Sequence, residues 1–448
     1  MKIWMRARRS GAMIAGFAAQ AAQYGSALLL LPMLFTRLSS EEIGIWYLFI
    51  TIQGLVLIAD FGFQPTFARN IALAHSGASD LHTEGISEAV HDEPNWGLLN
   101  ELLLVARRIY FGLAALLFLI LATFGLWYVS SIAAKSGLDV GYVSRSWLIF
   151  SFGACLGIYF QWISPLLIGT DRVQTNYIYL IIARGGFALT GIIALYFGGR
   201  LTALAVALVG ADLLGRLSVY PVVRSILSRL HGFTISPGAF RHLFARVWPN
   251  ASRQGIVGIA SFLILRYSSF VVATFFGLEM MASYGVSLQL MSALQQIALL
   301  PITILLPQLV AAQVRRDRQT LRRRWYNSMV AYALLYCAGG LVLVIAGGPI
   351  ISAIGANVAP LPRSLLLLLC VTMGLEGNHT LAASIIVSGN RVPFTVPAVV
   401  SGIAVAVLAT SAAWAGLGVA GVLFAQGLVQ LAYNNWKWPL LVYRETRP

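Results

Sequence analysis

The chain has 448 residues, 58% of them hydrophobic and only 10% charged, with a formal net charge of +15. A soluble domain carries about 25% charged residues, so this composition cannot cover a water-exposed surface, and lipid must be the main solvent. Nucleic-acid binding is excluded as the use of the positive charge, because the arginines lie in short clusters between apolar runs and not on one face of a soluble domain.

The N-terminus, Met1 to Arg9, is basic and leads into an apolar run from Gly11 to Thr36. That run exceeds the roughly 7–15 residues of a signal-peptide core, so it reads as a retained first membrane helix. A crossing takes about 20 apolar residues. On that measure the chain is expected to be an all-α integral membrane protein with about twelve spans, at 11–36, 43–66, 109–132, 146–169, 176–197, 201–223, 247–275, 280–311, 327–347, 363–388, 393–414 and 417–441. Pro301 and Pro307 are expected to kink the eighth span or end it early. Cys155, Cys337 and Cys370 fall inside spans without C-x-x-C spacing and read as packing residues.

Orientation follows from the loops. With the N-terminus in the cytoplasm, that side collects most of the basic residues, among them the cluster Arg315, Arg316, Arg318, Arg322, Arg323 and Arg324. The opposite side keeps Arg37, Lys135, Arg145, Arg200 and Arg363. The imbalance predicts that both termini are cytoplasmic. Two cytoplasmic stretches are long. Residues 69–106 are acidic, with Asp80, Glu84, Glu88, Asp92 and Glu93, and residues 224–246 lie near mid-chain. The second divides the chain into a six-span half (1–224), a linker (225–246) and another six-span half (247–448). A weak repeat accompanies this division: Glu41 to Trp46 and Glu279 to Tyr284 each place an acid before a small residue and an aromatic. Six spans per half gives parallel repeats.

Ionisable groups inside spans are expensive and therefore informative. The acids are Asp60, Asp212 and Glu376; the bases are Arg184, Arg253 and Arg266, with Arg216 toward a span end and His379 as a further titratable group. Helical rise places Arg184 roughly 12 Å and Arg253 roughly 9 Å from the cytoplasmic side, one level on opposite halves. Together with Arg266 they are expected to form a cationic cavity open to an anion. Asp212 and Arg216 stand i,i+4 and read first as a mutual ion pair, with a substrate role as the alternative. Asp60 is expected either to neutralise a nearby arginine or to couple transport. Glu376 and His379, i,i+3, read either as a proton relay or as a hydrogen-bonded structural pair. Amides recur in the spans, and Gln20, Tyr24, Gln53, Gln161 and Gln289 are candidate contacts for a hydroxyl-rich ligand or helix-to-helix bonds.

Other motifs fail. Gly416 to Gly421 matches G-x-G-x-x-G but lies between two spans with no acid until Glu445. There is no Walker loop, H-E-x-x-H or G-x-S-x-G, so neither ATP hydrolysis nor a cofactor or metal is expected, and transport would be gradient-driven.

The most specific stretch is Pro32-Met33-Leu34-Phe35-Thr36-Arg37-Leu38-Ser39-Ser40-Glu41-Glu42-Ile43-Gly44-Ile45-Trp46, then Asp60-Phe61-Gly62 and Arg69. It resembles the polysaccharide-repeat-unit (O-antigen, Wzx-type) flippases, whose first two spans carry P-x-L-x-R-x-L-x-x-E-x-[FY]-G-x-W/Y followed by D-[LF]-G and a basic residue. Ile43 stands where the family usually has an aromatic. The resemblance implies two pseudo-symmetric six-helix bundles around a central cavity, the fold shared with multidrug exporters and peptidoglycan-precursor flippases. It also implies a cargo, an undecaprenyl-pyrophosphate-linked oligosaccharide moved from the cytoplasmic to the periplasmic leaflet of the bacterial inner membrane. A polysaccharide polymerase and a chain-length regulator are implied as partners. A pyrophosphate fits arginines in a shielded site, and sugars fit neutral amides. The rivals are a cation-coupled multidrug exporter, expected to have an acidic or apolar cavity, and a membrane oligosaccharide polymerase or ligase, expected to need a sizeable external loop. A peptidoglycan-precursor flippase is a closer rival still.

Overall fold

The computed structural model describes residues 2–78, 93–315, 317–388 and 393–447, with side chains from Ala15 onward except at Phe17, Gln23, Tyr24, Ala27, Asn250, Pro307, Ala311, Val314 and Ser388. The acidic residues Asp80, Glu84, Glu88 and Asp92, together with Arg316 and Arg391, lie outside it.

Helix α1 spans Lys2–Arg37, and α2 (Ser40–Ile58) starts on a capping box. The Ser39 N–H donates to Glu42 Oε2 at 3.1 Å, and the Glu42 N–H donates to Ser39 Oγ at 3.3 Å. Two donors that no helix bond could satisfy are thereby satisfied reciprocally. The acids that mark this turn in the sequence are therefore structural at Glu42, which is 1% exposed.

α2 stops where the chain needs two left-handed residues, Phe61 (φ 49°) and Gly62 (φ 74°). Asp60 holds this break: its Oδ2 accepts the Gln64 N–H at 3.2 Å and its Oδ1 accepts the Tyr110 hydroxyl at 2.6 Å. The chain resumes as α3 (Phe63–His75). Helix α4 (Trp96–Ile120) continues through a wide turn at Leu121–Gly125 into α5 (Leu126–Lys135). The Leu126 N–H closes this turn on Leu121 O, and the Trp147 indole N–H donates to the same oxygen at 2.9 Å. Then come α6 (Val140–Tyr159), a tight turn at Phe160–Trp162, α7 (Ile163–Gly169), α8 (Val173–Tyr196), α9 (Leu201–Arg229) and α10 (Ala239–Leu265). The remaining helices are α11 (Tyr267–Val314), α12 (Arg318–Ala353), α13 (Arg363–Ser388), α14 (Thr395–Trp414), α15 (Gly418–Ala432) and α16 (Asn434–Glu445).

One expectation needs correction. Pro301 and Pro307 do not end their helix, since α11 runs on to Val314. The break at Gly277 (φ 82°, ψ 177°), a conformation that side-chain-bearing residues avoid, falls in the turn expected between the seventh and eighth spans. The two turns of the weak repeat are consequently built differently, a capping box in one half and a single-residue break in the other.

Among the described residues nine stretches are long and apolar enough to cross a membrane, and one of them, Ala251–Leu306, runs through the Gly277 break. Large apolar side chains such as Phe111, Trp127, Leu334 and Val400 are more than 60% exposed. Such a surface is stable against acyl chains and not against water. The protein is a multi-pass α-helical membrane protein.

The helices form two compact units. The first is Met1–Leu38 with Ile52–Gly258; the second is Ser39–Thr51 with Ile259–Pro448. In the first, α8 packs on α1 and α9, α6 on α4 and α9, and α3 on α4 and α7. In the second, α13 packs on α11, α12, α15 and α16. The units depart from the expected halves at two places: the start of α2 belongs with the second unit, and residues 247–258 belong with the first. A β-carbon at Gly44 would overlap the Leu278 carbonyl oxygen, and one at Gly285 would overlap the Tyr47 ring. The Ser40 hydroxyl donates to Asn357 O at 2.8 Å. Glu42→Ala is expected to lower stability by about 1 kcal/mol through the lost cap. Gly44→Ala, which must displace backbone, is expected to lower it by about 1–3 kcal/mol. Thermal unfolding in detergent checks both, and a wild-type midpoint for the Gly44 variant would rule out the close approach.

Candidate functional site

The first unit contains an intramembrane cavity of about 150 Å³. Small residues on α6, Gly153, Ala154 and Gly157, line one side of it. A β-carbon at Gly153 would overlap Val209, so this glycine lets α9 come close. One turn on, Arg216 Nη2 donates to the Gly157 carbonyl at 3.2 Å. Gly215, like Gly153, admits a close approach, between α8 and α9, where a β-carbon would stand 3.0 Å from both Ala183 and Tyr179.

Polar groups from four segments meet in this space: Gln53 from α2, Gln161 from the turn after α6, Tyr179 and Arg184 from α8, and Asp212 and Arg216 from α9. The expected ion pair is present. Arg216 Nε donates to Asp212 Oδ2 at 2.7 Å and Nη2 donates to Oδ1 at 3.3 Å. The Tyr179 hydroxyl donates to the same Oδ1 at 2.8 Å. The guanidinium also faces the rings of Phe160 and Tyr179, with centroids at 5.1 and 5.3 Å. Asp212 and Arg216 therefore neutralise each other and are fully engaged.

Arg184 differs. It lines the same cavity, and among the described residues it has no ion pair and no side-chain hydrogen bond. Gln53 also lines it, with no side-chain hydrogen bond among the described residues, while Gln161 Nε2 donates to Gln64 Oε1 at 2.9 Å. Two arginines against one carboxylate leave the cavity one positive charge in excess. Its volume equals about five waters of liquid, enough for one phosphate-sized group and too little for an oligosaccharide.

The remaining candidates lie elsewhere. Asp60 sits at the α2–α3 break, bonded to Tyr110 and to backbone and not to an arginine. Arg253 belongs to the first unit and is exposed on α10; Gln20 is exposed on α1. The side chain of Tyr24 lies outside the described residues. Arg266 belongs to the second unit and is half-buried at the α10–α11 junction. Gln289 is half-buried on α11. Glu376 and His379 share α13 but are not hydrogen-bonded to each other. His379 Nδ1 lies 3.4 Å from Asn434 O, and Glu376 Oε2 is buried with no hydrogen-bond partner among the described residues.

Sequence reading did not single out Tyr110 and Tyr179, because each meets its acid across helices. A further network was half visible as amides inside the last span. The Asn434 amide donates to Ser401 Oγ at 2.9 Å and to Gln430 Oε1 at 2.8 Å, and Trp438 Nε1 donates to Asn434 Oδ1 at 3.0 Å.

Solved structures of the same fold place this cavity in a known helical architecture. One solved structure, the inward-facing conformation of a multidrug resistance MATE family transporter of the MOP superfamily, matches at TM-score 0.69 and 13% identity, covering 97% of this chain and 98% of that one. The lipid II flippase MurJ, in an inward closed conformation, matches at TM-score 0.63 and 11% identity, over 97% of this chain and 87% of that one. An outward-facing MATE family structure matches at TM-score 0.57 and 13% identity, over 98% and 96%. The chain has the fold of the MOP superfamily transporters. No family model matches the chain, and no curated protein matches it.

Proposed function

We propose that the protein is a flippase that carries an undecaprenyl-pyrophosphate-linked oligosaccharide repeat unit from the cytoplasmic to the periplasmic leaflet of a bacterial inner membrane by alternating access. The observation that carries this reading is the cavity of the first unit, where Arg184 is left over once Asp212 has neutralised Arg216. An unpaired guanidinium in a low-dielectric site is costly, and an anionic ligand offsets that cost. The cavity fits one phosphate of the carrier, with Arg184 as its contact and Gln53 and Gln161 as neutral contacts beside it. Arg253, Arg266 and Gln289 are assigned as further cargo contacts, and Glu376 as a coupling group. The two arms of the solved-structure comparison lead in different directions, since one neighbour is named a lipid II flippase and the others multidrug transporters. The sign of the cavity favours the flippase, because a net positive site repels cationic drugs. A polysaccharide polymerase and a chain-length regulator are the partners this function would need.

Deletion of the gene, followed by labelling of lipid-linked glycans from the periplasmic side, tests the reading. Repeat units are expected to accumulate on the cytoplasmic leaflet and to cross again when the wild-type chain is restored. Unchanged periplasmic delivery in the deletion strain, or altered resistance to cationic drugs as its only defect, would reject the flippase reading.

A further inference from the structure

The second unit holds a cavity that the transport reading does not use. Its volume is about 430 Å³, and it lies where α11 and α13 end, α12 begins and α16 ends. Its floor is aliphatic: Leu321, Ile385, Ile386 and Val442 are all at most 4% exposed. Its rim is charged, with Arg318 and Arg444 beside the single carboxylate of Glu445. Among the described residues neither Arg318 nor Arg444 has an ion pair or a side-chain hydrogen bond. The neighbouring acid, Asp317, is committed to the start of α12, where the Thr320 N–H and hydroxyl donate to it at 2.9 and 2.6 Å.

The pocket is also held in shape. Tyr443 lies between two guanidiniums, Arg322 at 5.4 Å and Arg447 at 4.8 Å from its ring centre, and Arg447 Nη2 donates to its hydroxyl at 3.3 Å. These contacts fix the last turn of α16 on the first turns of α12. Arg315, Arg323 and Arg324 extend the cationic border in sequence. By the charge asymmetry of the loops, this is the membrane face with most of the basic residues.

A cationic rim alone would suit a free phosphate. A greasy floor beneath it, at the ends of membrane helices, suits a phosphate that carries glycerol and acyl chains. We infer that this cavity binds the phosphodiester headgroup of an anionic membrane phospholipid, with Arg318 and Arg444 on the phosphate and the four aliphatic residues under the glycerol backbone. The bound lipid ties the ends of α11, α12, α13 and α16 together. This inference does not rest on the identity of the cargo.

Native mass spectrometry of the full chain, titrated with phosphatidylglycerol against phosphatidylcholine, tests it. The wild type is expected to retain one phosphatidylglycerol preferentially. Arg318→Gln with Arg444→Gln is expected to weaken retention about 30-fold, as two near-surface arginines would. Arg363→Gln, at the other end of α13, leaves it unchanged. Glu445→Gln is expected to strengthen retention about fivefold, a gain that no folding defect can mimic. Equal retention of the two lipids, or full retention by the double glutamine variant, would overturn the assignment. Displacement of the lipid by millimolar glycerol 3-phosphate or inorganic phosphate would assign the pocket to a soluble phosphate and overturn it equally.

Discussion

Asp212→Ala is expected to destabilise the first unit by about 3–5 kcal/mol, the range for breaking a buried ion pair from one side. The reason lies in what the substitution leaves behind. Arg216 is 9% exposed and would keep only the Gly157 carbonyl and two aromatic faces for a full positive charge. The Tyr179 hydroxyl would lose its acceptor as well. Arg216→Gln is expected to be milder, because Asp212 retains Tyr179 as a donor. The double variant Asp212→Ala, Arg216→Met should recover most of the loss, since an apolar replacement of a buried pair is often neutral or stabilising. Thermal unfolding in detergent of the three variants beside wild type measures this. A double variant as unstable as Asp212→Ala would show that the pair is not the source of the loss.

That pair was legible because both partners sit on one helix, four residues apart. The long apolar runs were legible for a similar reason, as composition alone decides between lipid and water. Contacts across helices were not. Asp60 and Tyr110 are 50 positions apart and Tyr179 and Asp212 are 33 apart, and nothing in either local pattern names the partner. Asp60 shows how such a gap changes a reading. An acid in an apolar run invites a coupling role, whereas Asp60 caps α3 across a left-handed break that Gly62 permits. The stretch that resembles the flippases was located from its residues, but its physical content came from packing: Glu42 closes a capping box and Gly44 admits the Leu278 carbonyl. The wide turn after α4 escaped notice because glycine is common in membrane helices and its presence does not predict one, whereas the break at Gly277 falls in the turn expected between the seventh and eighth spans.

Arg184→Gln is expected to reduce glycan translocation about 10- to 100-fold while leaving the protein as stable as wild type or slightly more so. The rate loss follows from removing charge-assisted hydrogen bonds to a phosphate, worth about 1.5–3 kcal/mol. The unchanged stability follows from the cavity's charge balance, because Asp212 is already engaged and Arg184 is the excess cation. Removing an unpaired charge from the membrane interior relieves a cost that only a ligand offsets. Arg184→Lys should restore part of the rate, since it keeps the charge and loses the planar fork that grips two phosphate oxygens. Arg184→Glu should abolish transport. Inorganic pyrophosphate should raise the unfolding midpoint of wild type and not that of Arg184→Gln, as binding to the folded state alone requires. The contrast with Asp212→Ala separates the two roles, for one substitution lowers stability and the other lowers transport. If Arg184→Gln unfolded early, Arg184 would be a structural residue; if it transported at the wild-type rate, the cavity would have no part in moving the cargo.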